Sequence, residues 1–184
     1  SCSAVNKLIR RELWKESGFQ FPKGRYYEDL ATIPKVMTKT KKIVYLPEVY
    51  YYYLVRDGSI MHSRNFEKNY EDRTWAVNQL LEYFERENLI ETYRNELEYL
   101  VFENTYFVPS KEIVLNDRKS EYLKKFRDYA YNKFPQMNKN YYVQQIAGKD
   151  KILLKLLQYR MYGMMVLMSQ LRRMKDRLAA VSRR

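Results

Sequence analysis

Residues Phe21 to Met61 read FPKGRYYEDLATIPKVMTKTKKIVYLPEVYYYYLVRDGSIM, and the fold turns on how this stretch is read. An aromatic turn containing Gly24 leads into the pair Glu28-Asp29, and a helical pattern follows. Gly24 permits a backbone bend that a residue with a Cβ resists. Pro34 lies inside the helical pattern, where it has no N–H to donate and crowds the preceding turn, so the helix is expected to kink near Ile33 or to start late. Lys42 to Leu46 and Val49 to Val55 are rich in β-branched and aromatic residues and predict two short strands, broken by Pro47-Glu48. Tyr50 to Tyr53 suit a strand with both faces covered. Arg56-Asp57-Gly58-Ser59 then reads as a turn. A carboxylate pair opening a helix beside β structure, with Arg, Ser and His at a strand end, suits a site for a sugar diphosphate.

Outward from this stretch, Leu8, Ile9, Leu13 and Trp14 fit one helical face over residues 4–17 with Gly18 as its stop, or a short strand at 5–9 feeding a helix. After His62 the apolar residues recur at intervals of three and four. Asn65 to Phe107 predicts two or three helices with a break at Asn88. Glu71, Asp72, Glu82, Glu85 and Glu87 are placed mostly on solvated faces. Pro109-Ser110 marks a turn, Ser120 to Phe134 a further helix closed by Pro135, and residues 136–150 a connecting loop with a short helical turn. A last helix is expected over about residues 151–180.

The order and spacing of several short motifs resemble family 2 glycosyltransferases of the GT-A fold, particularly bacterial enzymes that build capsular or cell-wall polysaccharide. These motifs are Asn6-Lys7-Leu8 with Arg10-Arg11-Glu12-Leu13, Phe21-Pro22-x-Gly24, Tyr27-Glu28-Asp29, Lys41-Lys42-Ile43-Val44-Tyr45, Tyr51-Tyr52-Tyr53 and Gly58-Ser59-Ile60-Met61. They run from Val5 to His62, and the rest of the chain matches only as the variable helical tail of such enzymes. The resemblance implies a mainly α chain with a small β component. Residues 1–62 would be the C-terminal, acceptor-side part of a GT-A α/β catalytic domain, and residues 63–184 a helical, bundle-like region.

Transfer of a sugar from a nucleotide diphosphate requires a base for the acceptor hydroxyl, positive charge for the departing diphosphate and alignment of both substrates. The resemblance implies that Asp29 is the base, that Glu28 orients it or binds acceptor hydroxyls, and that transfer inverts the anomeric carbon. A helix-capping role for Glu28 and Asp29 is the competing reading. Lys7, Arg56 and Ser59 are the candidate substrate-binding residues, the last two through phosphate oxygens. A Mg²⁺ or Mn²⁺ ion would take most of its ligands from an Asp-x-Asp motif, which this chain lacks, with His62 adding one. His62 as a plain surface residue is the alternative. The chain therefore reads as the C-terminal portion of a longer enzyme, inactive alone, whose nucleotide-sugar donor site needs the other half.

Net charge is +12, and residues 149–184 hold ten Lys or Arg against two Asp, so most of the excess lies in the tail. A basic tail with a Met/Leu face points to an anionic membrane surface, or to a helix docked on its own core. Competing partners are nucleic acid, for which no recognised binding signature is present, and a second copy of the chain in an oligomer. The acceptor implied is a glycan or a lipid-linked sugar. No apolar run has spanning length, Cys2 is the single cysteine and no signal peptide is seen. The expected location is the cytoplasm, peripheral on the inner face of the cell membrane.

Overall fold

The computed structural model describes residues 2–54 and 65–181. The chain packs as two compact units, Ser1–Tyr93 and Arg94–Arg184. In the first unit, α1 (Arg11–Ser17) ends where Gly18 takes a left-handed conformation, φ 67°. Its Trp14 stacks on Phe21 with ring centroids 5.2 Å apart. α2 (Glu28–Thr38) begins at the carboxylate pair and carries through Pro34. The late start expected from Pro34 does not occur, because Glu28 and Asp29 in the first turn favour initiation ahead of it. Leu30, Ile33 and Val36 are fully buried, and each such side chain contributes about 1.5–3 kcal/mol.

They pack against α3 (Phe66–Arg86), which buries Arg73, Ala76, Val77, Leu80, Tyr83 and Phe84 at helical spacing. Asn65 caps α3 by accepting the Lys68 N–H at 3.0 Å. At the far end of this pair the Tyr83 hydroxyl meets Thr38 Oγ1 at 2.8 Å, and Lys39 pairs with Glu87 at 2.9 Å. Asn88, at φ 56°, ends the helical run.

The second unit opens with a helical path that changes pitch. α4 (Arg94–Phe102) passes into a π-helical turn, Glu103–Phe107, and on into α5 (Val108–Asn116). Pro109, expected to mark a turn, sits instead in the first turn of α5. Its ring has no N–H to offer the Thr105 carbonyl and crowds it, and the wider π turn lies directly ahead. Phe102 and Phe107 stack at 5.6 Å across that turn. α6 (Tyr122–Lys133) adds Leu123, Phe126 and Ala130 to the core. Buried Asn140 caps α7 (Tyr141–Gln144) and donates its amide to the Asn95 carbonyl at 2.9 Å, so its polar atoms are satisfied.

The single long helix expected over residues 151–180 is two helices. α8 (Gly148–Gln158) and α9 (Tyr162–Val181) are separated where Arg160 takes φ 55°. Leu154 and Leu157 of α8 and Met165 of α9 are buried.

The expected small β component, and with it a GT-A α/β portion over residues 1–62, is overturned: among the described residues there is no strand and no sheet. Residues 42–54 carry no regular secondary structure, and their large side chains lie open, Val44 at 64% and Tyr52 at 85% exposure. β-branched and aromatic composition fits a pleated surface only when a neighbouring strand takes up the N–H and C=O groups. No described residue does so here.

Candidate functional site

The turn that delivers Glu28 and Asp29 is built from α3. Asp72, 1% exposed, accepts hydrogen bonds from the Arg25 guanidinium at 2.9 Å and the Tyr26 N–H at 3.1 Å, and it pairs with Lys68 at 2.8 Å. Burial by itself would raise the Asp72 carboxyl. The hydrogen bonds from Lys68, Arg25 and the Tyr26 N–H outweigh it and hold the group below the usual carboxylate range. Lys68 also lies over the Tyr26 ring at 4.5 Å, and Arg25 over Trp75 at 5.2 Å.

The adjacent Arg73, 2% exposed, donates Nε–H to Asn69 Oδ1 at 2.7 Å and lies 4.3 Å from the centre of the Tyr27 ring. Tyr27 is the N-cap of α2 and has φ 61°, a left-handed conformation that a bulky side chain rarely adopts. Such a conformation costs about 1–2 kcal/mol and persists where surrounding contacts fix it. The cation–π contact with Arg73 and the Tyr26 N–H bond to Asp72 are those contacts. Sequence reading placed Asp72 on a solvated face, and this is corrected: it is buried with three partners. Those partners include residues 47 and 46 positions upstream, which helical periodicity does not reveal.

Held this way, Asp29 is half-buried in the first turn of α2, and its Oδ1 accepts the Leu30 N–H at 2.8 Å. That bond satisfies one of the amides that lack an intrahelical partner, so Asp29 does act in part as a cap. Its second oxygen takes no hydrogen bond from a described residue. Glu28, also half-buried, has neither a hydrogen bond nor an ion pair with a described residue.

Lys7 comes to the same end of the helix. Its ammonium donates to the Ser3 carbonyl at 2.7 Å and to Asn6 Oδ1 at 2.8 Å. Burial lowers its pKa, while the charges of Cys2 and Asp29 act in the opposite direction. Lys7 and Asp29, far apart in sequence, are thus close enough for one to feel the other's charge. Arg56, Ser59 and His62 lie outside the described residues. So does the end of the run Val49 to Val55.

A Mg²⁺ or Mn²⁺ ion asks for several oxygen or nitrogen ligands around one point. Among the described residues no three His, Cys, Asp or Glu side chains are gathered closely enough to hold one. The described part of the chain therefore does not by itself hold such an ion.

The second unit contributes a different surface. A shallow cavity of about 220 Å³ beside the π turn is lined by Tyr99, Glu103, Phe107, Lys111 and Asp150, among others. Lys111 closes one side, 3.3 Å from Asp150 and 3.9 Å from the Phe107 ring centre. Burial raises the Tyr99 hydroxyl above its ordinary pKa, so it remains a neutral donor at physiological pH. No described helix is long and apolar enough to cross a membrane. No protein-family model matches the chain, and neither a curated protein nor a solved structure does.

Proposed function

We propose that this chain supplies the acceptor-side carboxylate of an enzyme that transfers a sugar from a nucleotide-sugar donor to a glycan or lipid-linked acceptor in bacterial surface polysaccharide synthesis. The observation that carries this reading is the clamped, left-handed Tyr27 just ahead of Asp29, whose second oxygen takes no hydrogen bond from a described residue and which has the Lys7 ammonium nearby. Backbone strain held by buried ionic contacts is what a chain tolerates where a side chain must be aimed.

In the reaction, the second carboxylate oxygen of Asp29 takes the proton of the acceptor hydroxyl as the hydroxyl oxygen attacks the anomeric carbon. The bond from the sugar to the diphosphate breaks, and the diphosphate leaves with the electron pair. Glu28, without a protein partner among the described residues, is placed to bind acceptor hydroxyls. The Lys7 ammonium, close enough to feel the charge of Asp29, brings positive charge to the same end of the helix.

The test uses Asp29→Asn in the protein that carries this chain. Transfer is expected to fall by about a hundredfold or more, the usual contribution of a general base, while donor binding measured by calorimetry is kept. Parallel loss of binding and transfer reduces Asp29 to a helix cap.

A further inference from the structure

We infer that the C-terminal half of α9 is a docking surface for an anionic lipid membrane, lying on the bilayer without crossing it. The first half of the helix is fastened to its unit through buried Met165 and contacts with α5 and α8. From Gln170 to Lys175 every side chain is exposed. Leu171 is 56% exposed and Leu178 69%. Met164, Leu167, Leu171, Met174 and Leu178 are all exposed and follow one another at intervals of three and four. At about 100° per residue they form a single stripe roughly 80° wide. Arg172 and Lys175 lie to one side of it and Arg173 on the opposite face. Within α9 the sequence has four basic residues against the single acid Asp176.

Charge decides the occupant. A second copy would need the stripe to pair with itself, yet it runs little more than two heptads, short of what a coiled coil sustains. Its charged margins are basic, so self-pairing brings like charges together. An anionic bilayer instead accepts the leucine and methionine side chains among its acyl chains and neutralises the arginines and lysine at the headgroups. Unbranched methionine suits a fluid partner with no fixed pockets. Tyr159, exposed at the junction before α9, is an amphipathic ring of the kind that rests at a water–lipid boundary. The inference does not depend on the sugar-transfer reading.

Co-sedimentation with vesicles of phosphatidylglycerol in phosphatidylcholine, and with phosphatidylcholine alone, tests it without any measurement of sugar transfer. Binding to the anionic vesicles is expected, weakening with added salt. A loss of about tenfold or more is expected for Leu171→Glu with Leu178→Glu, and likewise for Arg172→Gln, Arg173→Gln and Lys175→Gln together. These side chains are exposed, so both variants should keep the parent's far-ultraviolet circular dichroism. The inference is overturned by equal binding to neutral vesicles, by no binding at all, or by leucine variants that bind as the parent does. It is also overturned by a light-scattering dimer that Leu171→Glu with Leu178→Glu dissolves, or by preference for an acidic helical peptide over vesicles.

Discussion

Tyr26 and Tyr27, and Tyr50 to Tyr53, are tyrosine runs in the same half of the chain with opposite fates. The first pair lies against cations fixed on a helix, Lys68 at 4.5 Å and Arg73 at 4.3 Å, and its backbone is tied to Asp72. The second run has more aromatic surface and β propensity, yet every one of its rings is exposed. An aromatic ring is ordered by what another element brings to it. Composition alone orders nothing, and a strand has no meaning without its neighbour.

The sharpest way to break this comparison is Asp72→Ala. It removes a buried carboxylate with three partners and is expected to cost about 3 kcal/mol in thermal or urea unfolding near neutral pH. Because the folded pKa of Asp72 lies below its ordinary value, the stabilisation is present above that value and is lost as pH falls through the folded pKa. The gap between variant and parent should therefore narrow as pH drops below roughly 4. A gap unchanged down to the acid transition would mean that the charge of Asp72 does not hold the turn.

A finer cut compares Tyr27→Ala with Tyr27→Gly. Both lose the contact with Arg73, but only glycine adopts the left-handed backbone without strain. The glycine variant should be the more stable of the two by about 1 kcal/mol. Equal stabilities would place the backbone of residue 27 outside the left-handed region. Smallest of all, Tyr52→Ser in the open run should shift stability by less than about 0.5 kcal/mol. A cost above 1 kcal/mol would show a partner for that ring.

Which features could be read from sequence follows the same division. Gly18 as a stop, Asn88 as a break and the Glu28-Asp29 helix start were legible because each acts locally, through a left-handed residue or a helix dipole. The two strands expected at Lys42 to Leu46 and Val49 to Val55 were a misreading, since a strand depends on atoms outside the segment and residues 42–54 form none. The role of Asp72 and Arg73 was hidden because charged residues are so often solvated and their partners lie far upstream. Arg160 gave no warning that it would divide the last helix, since arginine carries no preference for a left-handed backbone. Of the candidate site, Asp29, Glu28 and Lys7 were nameable from short motifs, but the contacts of Asp72 and Arg73 with the turn before them were not.

The bond between Arg25 and Asp72 closes a loop of 47 residues, and this ties the carboxylate pair to a distant stretch of helix. Closing so long a loop is entropically expensive, so it forms late and opens early unless α3 is already wound. Fraying of the first turns of α3, where Lys68, Asp72 and Arg73 reside, would release Tyr27 and disperse Asp29 and Lys7 before the apolar layer around Leu80 melts. Mild heating should then abolish whatever the turn does while most of the helical signal survives, making the onset of inactivation a gauge of one helix end.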